Sequence, residues 1–163
     1  SRAPSTPTPP PWGSERTVDY EAMVQPVFER NCTECHGNRA PQGNVDLSAV
    51  RMNDGLLMSY HTLFGSRGDG KETAAMLVST ADRFSNAGIT QPKQFGSHQS
   101  RLIHTLLEDP FHRKSVKLNP DEWETIVTWI DANAPYFGGF LNKRPDSGGP
   151  PRREPPADCT TQQ

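Results

Sequence analysis

Three residues within a five-residue stretch, Cys32, Cys35 and His36, place the strongest constraint on what this chain can fold into. Thiols three positions apart lie on one face of a helix, and the next residue brings an imidazole beside them. The Cys-x-x-Cys spacing occurs in dithiol redox pairs and as half of a zinc site, and with a following histidine it is typical of covalent haem attachment. Residues elsewhere in the chain decide between these alternatives.

The zinc and dithiol alternatives lack supporting residues. A zinc site needs two further ligands, but Cys159 lies in a proline-rich C-terminal segment and the other four histidines are scattered singly. A dithiol pair would belong to a βαβ pattern, which the sequence does not contain. We therefore interpret Cys32, Cys35 and His36 as the attachment site of one haem c, with His36 as an iron ligand. Covalent attachment implies a periplasmic or otherwise extracytoplasmic protein.

Proline-rich ends frame the predicted domain. We expect residues 1–14 to be an extended linker, residues 15–142 a monohaem cytochrome c domain, and residues 143–163 an extended tail. The net charge of −2 and the absence of a basic run predict no nucleic-acid partner. No apolar run approaches the roughly 18 residues that span a bilayer. The expected partners are redox proteins, such as other subunits or domains of a complex.

Apolar periodicity predicts an all-α fold with long irregular loops. A first short helix over 23–28 delivers the cysteines, and a second covers about 56–64. A third carries an apolar stripe over 102–107 and ends at Pro110. Residues 65–96 show no clear periodicity and are expected to be irregular.

The last predicted helix has the clearest start signal. Asn119 is placed as N-cap, Pro120 at the first helical position and Glu122 at the third, and the helix is expected to end near Asn133. Trp129 lies off the apolar stripe of this helix. It is expected either to belong to the core, which we favour, or to contact the haem.

The order of these features resembles the haem domain of hydrazine synthase alpha-subunit-like cytochromes, common in planctomycete proteins. The matching segments are PVFERNCTECHG, VDLS, FGSHQSRLIHTLL, VKLNPDEW and WIDANAPYFG, and together they cover about 120 residues from Tyr20 to Gly138. The first segment is shared by many c-type cytochromes, whereas the last two in combination are specific to this group. The resemblance implies an exported, all-α haem domain that is one module of a larger protein. It does not imply hydrazine synthesis, which depends on other domains.

A sixth iron ligand decides between electron transfer and substrate chemistry. The resembling family has Gly-His before Val-x-Leu, near where this chain has His112, although here Pro-Phe precedes the histidine and one extra residue precedes Val116. His112 is therefore the first candidate. His98 is the alternative, although His98 and His104 both point away from the apolar stripe at 100° per residue. His104, His61, a methionine or no ligand stay open.

No catalytic set accompanies the haem motif, so we favour an electron carrier over an enzyme. Bis-histidine ligation would give a low-potential, six-coordinate haem suited to electron transfer. One alternative is a haem enzyme, peroxidase-like or acting on nitrogen compounds, with an open distal iron site. Another is a structural haem subunit of an assembly, bound through its proline-rich tails. Cys159 is an odd cysteine whose role the sequence leaves open.

Overall fold

Six α-helices account for most of the regular structure in the computed structural model, which describes residues 5–6, 8–14, 16–66, 76–81 and 91–139. In chain order they are α1 (Gln25–Asn31), α2 (Thr33–His36), α3 (Met58–Leu63), α4 (Arg101–Glu108), α5 (Pro110–Ser115) and α6 (Pro120–Asp131). The only β-pairing among these residues is an isolated bridge between Arg51 and Leu57. The predicted all-α class is confirmed for the described part of the chain.

The N-terminal helix forms where the apolar pattern predicts it. A π-helical turn, Tyr20–Val24, is capped by Asp19, whose carboxylate accepts the Ala22 N–H at 3.0 Å. It runs directly into α1, where Pro26 stands in the first turn. Val27 and Phe28 are buried on the inner face. This helix leads straight to Cys32, as expected.

The last helix begins as its sequence signal predicts. The Glu122 N–H donates to Asn119 Oδ1 at 2.9 Å, and the Asn119 N–H donates to Glu122 Oε2 at 3.0 Å, which completes a capping box. The helix ends at Asp131, two residues before the expected end. Trp129 is fully buried and its Nε1 donates to the Pro135 carbonyl at 2.9 Å, so its predicted place in the core is confirmed.

An aromatic core joins segments that are far apart in sequence. The ring centroid of Tyr20 lies 5.2 Å from that of Trp129, 5.5 Å from that of Tyr136 and 5.0 Å from that of Tyr60. Its hydroxyl donates to Ser59 Oγ at 2.8 Å. Aromatic pairs of this kind contribute about 1 kcal/mol each beyond the area that they bury. The N-terminal turn, α3, α6 and the chain after α6 therefore pack as one unit.

One expectation for α4 was wrong, and one helix was missed. Leu107 was assigned to the buried stripe of α4, but it is 54% exposed. The helix α4 ends at Glu108, before Pro110 as expected, but Pro110 is also the first residue of α5, which the sequence analysis did not predict. Asp109 caps this helix by accepting the His112 N–H at 2.9 Å.

Several expectations lie outside the described residues. These include the predicted tail over 143–163 with Cys159, and much of the segment expected to be irregular, namely 67–75 and 82–90. In the described ranges, no helix combines the length and apolar character that crossing a bilayer requires.

We predict that Asn119→Ala lowers the free energy of unfolding by about 1 kcal/mol, because the Glu122 N–H loses its acceptor and the capping box is broken. Denaturant unfolding followed by circular dichroism measures this change. Asp121→Ala is the matched control, since Asp121 lies in the same turn but outside the capping box, and it should cost less than about 0.5 kcal/mol. Equal losses in the two variants would contradict the proposed role of the cap.

Candidate functional site

The Cys-x-x-Cys-His segment folds as a single turn. Cys32 precedes α2, and its carbonyl accepts the N–H groups of Cys35 at 3.2 Å and His36 at 2.9 Å. Both thiols are half-buried and free. Gly37 follows because a Cβ at this position would lie 2.7 Å from the Thr33 carbonyl oxygen. Two thiols and one imidazole are therefore presented together at the end of the helix.

The loop after the motif holds the His36 ring. His36 Nδ1 lies 3.1 Å from the Gln42 carbonyl oxygen and 3.1 Å from that of Val45, and the Leu47 N–H donates to the His36 carbonyl at 2.7 Å. Carbonyl oxygens only accept hydrogen bonds, so Nδ1 carries the proton. The lone pair of a neutral imidazole then resides on Nε2, which has no hydrogen-bond partner among the described residues.

His112, on α5, stands opposite His36. The two rings are parallel within 12° and their centroids lie 6.2 Å apart. His112 Nδ1 lies 2.8 Å from Asp109 Oδ2, so Nδ1 donates to the carboxylate and Nε2 again has no hydrogen-bond partner in the described part of the chain. The pKa of Asp109 is lowered by the His112 N–H and then by the imidazole, which keeps this carboxyl group ionised. Both imidazoles are thus fixed through Nδ1.

The other three histidines and Met76 are engaged elsewhere or exposed. His104 uses both nitrogens, with Nδ1 2.8 Å from Glu108 Oε1 and Nε2 2.9 Å from the His98 carbonyl oxygen. His98 is exposed, and Met76 is 56% exposed. His61 Nε2 is paired with the Asp54 carboxylate at 3.1 Å. The structure therefore brings His112, and not the alternative His98, to His36.

The surroundings of Cys32 disfavour dithiol chemistry. Burial, followed by the negative charges of Glu122 and Cys35, raises the pKa of the Cys32 thiol to about 11. Attacking thiols in dithiol oxidoreductases have a lowered pKa instead. The Glu122 carboxylate accepts hydrogen bonds from Arg30 Nε at 3.0 Å and Asn31 Nδ2 at 3.2 Å, and so ties α6 to the residues before Cys32. A zinc site is also unsupported, because the described residues contain no cluster of three or more metal-binding side chains.

Sequence reasoning missed the groups that orient the two imidazoles. Asp109 could have been found, because Asp-Pro at 109–110 is the same type of helix start as Asn119-Pro120. The carbonyls of Gln42 and Val45 carry no signal in the sequence, since every residue has one. The ion pair between Arg30 and Glu122 spans 92 positions and could not be inferred from local pattern.

A groove of about 310 Å³ opens between α4, α5 and α6. Its lining combines apolar side chains with two cations: Leu106, Leu107, Arg113, Val116, Lys117, Leu118 and Trp123. Neither histidine of the pair lines this groove, but the Val116 N–H donates to the His112 carbonyl at 2.8 Å. The groove thus adjoins the residue that carries one imidazole.

Comparison with known proteins adds no assignment. No protein-family model, curated protein or solved structure matches this chain. The resemblance to hydrazine synthase alpha-subunit-like cytochromes therefore stays a prediction from the residues.

We predict that iodoacetamide alkylation of Cys32 in folded, haem-free Cys35→Ser protein accelerates about tenfold per pH unit from pH 7 to about pH 10. The raised pKa leaves only about one thiol in a thousand ionised at pH 8, and removal of the Cys35 charge lowers that pKa only slightly because burial is the larger cause. The rate is measured by mass spectrometry. The same variant in denaturant is the control, and its rate should level off above about pH 9. A plateau near pH 7 in the folded protein would indicate a reactive thiol instead.

Proposed function

We propose that this chain is a monohaem c-type cytochrome domain that transfers single electrons between protein partners outside the cytoplasm. The observation that supports this proposal most directly is the pairing of His36 with His112 across 6.2 Å, each held through Nδ1. Haem, when bound, supplies an iron that cycles between ferric and ferrous states. Every other element of the proposal concerns how the residues of this chain hold that group.

The spacing of the two rings fits an iron between them. Two metal–imidazole bonds are about 2 Å each, and each ring centre lies roughly 1 Å beyond its ligating nitrogen, which places the centres about 6 Å apart. The observed centroid separation is 6.2 Å. Direct stacking of the rings would bring them closer together. This separation is compatible with His36 and His112 both holding a haem iron.

The hydrogen bonds at Nδ1 fit the same role. Imidazoles that bind a metal usually donate the other ring N–H to a carboxylate or a backbone carbonyl. His36 meets two carbonyls and His112 meets the Asp109 carboxylate. In each ring the proton is fixed on Nδ1, and Nε2 remains able to bind iron.

Cys32 and Cys35 fit the covalent tether. Both are half-buried free thiols on the turn that carries His36. In the attachment, the S–H of each thiol adds across one vinyl group, so that sulfur bonds one carbon and the hydrogen bonds the other. Neither thiol needs to act as a metal ligand or as a nucleophilic thiolate in the finished protein.

Axial ligation by two imidazoles favours electron transfer over an enzyme. An enzyme that acts on a small substrate at iron needs one open coordination position, which the proposed pair occupies. Electron transfer needs none. The alternative of a structural haem subunit depended on binding through the proline-rich tails. The tail over 143–163 lies outside the described residues, so the structure gives no contact that supports this alternative.

We predict that the reduced wild-type protein does not bind carbon monoxide, whereas His112→Ala does. Loss of the His112 imidazole removes one proposed axial ligand, so the ferrous haem becomes five-coordinate and high-spin. Visible spectra before and after addition of carbon monoxide measure this. His104→Ala is the matched control, because His104 is an exposed histidine engaged with Glu108, and it should keep the wild-type spectrum. Carbon monoxide binding by the wild type would move the enzyme alternative to first place.

We predict that Asp109→Asn raises the haem reduction potential by some tens of mV while the low-spin spectrum is retained. The amide keeps an oxygen that can accept hydrogen bonds from the His112 backbone N–H and from His112 Nδ1. It removes the negative charge that makes the His112 imidazole a stronger electron donor to ferric iron. Spectroelectrochemical titration measures the potential. Glu108→Gln is the matched control. It removes the charge of the residue before Asp109, which contacts His104 and not His112, and it should shift the reduction potential less. An unchanged potential in Asp109→Asn would contradict this role of the carboxylate.

A further inference from the structure

We propose that the groove between α4, α5 and α6 docks an acidic redox protein, and that electrons enter or leave through this face. The inference rests on the proposed haem function and identifies the class of partner. It is based on the composition of the groove, the charge of the segment that forms it and the position of His112 beside it.

The groove combines apolar surface with positive charge. Leu107 is 54% exposed at its edge, and the half-buried side chains of Leu118 and Trp123 provide further apolar surface. Its two charged lining residues, Arg113 and Lys117, are both cationic and exposed. An apolar centre with a charged rim is the usual anatomy of a protein interface. A small groove suits a transient redox encounter, which buries less than about 1,200 Å² in total.

The charged residues that line the groove are both cationic, although the whole chain has a net negative charge. The net charge is −2, yet residues 110–118 carry Arg113, Lys114 and Lys117 and no acid. The acids that precede this segment, Glu108 and Asp109, accept hydrogen bonds from His104 and His112 and lie outside the groove lining. Such a local positive patch attracts an acidic surface and increases its encounter rate at low salt.

The position of the patch links it to electron transfer. Arg113 directly follows His112 in α5, and Val116, which lines the groove, is hydrogen-bonded to the His112 backbone. A partner seated in the groove would therefore lie against the short helix that carries the proposed iron ligand.

The first measurement is stopped-flow oxidation of the reduced, haem-loaded protein by hexacyanoferrate(III), a trivalent anion, and by tris(phenanthroline)cobalt(III), a trivalent cation. If the groove face governs the encounter, the rate with the anion should fall at least about fivefold between about 10 mM and 200 mM ionic strength. If the net charge of −2 governs it, that rate should rise with salt. The second result would overturn the proposal.

The variant test reverses the charge of the groove. Arg113→Glu/Lys117→Glu should slow oxidation by hexacyanoferrate(III) at least about fivefold at low salt and accelerate oxidation by the cobalt complex. The matched control is Arg101→Glu/Lys93→Glu, which makes the same change in net charge at exposed positions outside the groove lining. Equal effects in the two double variants would overturn the proposal.

A polypeptide probe separates protein docking from simple ion attraction. Poly-L-glutamate at low salt should slow oxidation of the wild type by hexacyanoferrate(III), and should not affect the groove variant. Absence of competition in the wild type would overturn the assignment to an acidic protein.

The haem spectrum of each variant separates this proposal from the proposed function. A protein that binds no haem would refute the proposed function itself. If the Arg113→Glu/Lys117→Glu variant has an altered haem spectrum, the groove is part of the haem-binding site. That result would overturn the docking proposal but not the proposed haem function.

Discussion

Hydrogen bonds to the two Nδ1 atoms determine which nitrogen of each imidazole is available to a ligand. The acceptors come from nearby in the sequence: Gln42 and Val45 lie six and nine residues after His36, and Asp109 lies three residues before His112. Each ring can therefore be oriented by its own segment. The tertiary structure then brings α2 and α5 together, so that the centroids of the two rings lie 6.2 Å apart.

Helix α6 is the element to which both segments are attached. Glu122, at its N-terminus, completes the capping box with Asn119 and pairs with Arg30 and Asn31, directly before Cys32. Further along the helix, Trp129 packs against Tyr20 at the start of the N-terminal helix. On the other side, α5 reaches α6 through only four residues, 116–119. The residues before Cys32 are therefore held to α6 by side-chain contacts, whereas α5 packs against α4 and is joined to α6 by this short connection.

The parts of the fold that could be predicted from the sequence are those fixed by neighbouring residues. Asn119, Pro120 and Glu122 form a complete start signal within four positions, so α6 was predicted with its cap. The helix α5 was missed because Pro110 was interpreted as an end, although a proline at the first helical position is equally compatible with a start. Periodicity also placed Leu107 in the core, but Leu107 lies at the edge of the groove between α4, α5 and α6 and is 54% exposed, whereas the neighbouring Leu106 is buried.

The candidate site divides in the same way. Cys32, Cys35 and His36 could be identified from spacing alone, because the chemistry requires them together in the chain. The pairing of His36 with His112 could not be derived from pattern, since it joins residues 76 positions apart through the tertiary fold. His112 was preferred at first through a family resemblance. The geometry of the two rings provides an independent physical reason for the same preference.

The short helix α5 links the proposed ligand to the proposed docking face. Six residues are too few for a helix that is stable by itself, so α5 depends on its cap and on contacts with its surroundings. Asp109 supplies the cap and also holds the His112 ring, and an iron bond at His112 would restrain the helix further. Arg113 lies in this same helix, and Lys117 is the second residue after its end. The proposed ligand and the proposed docking face therefore both depend on the short helix α5.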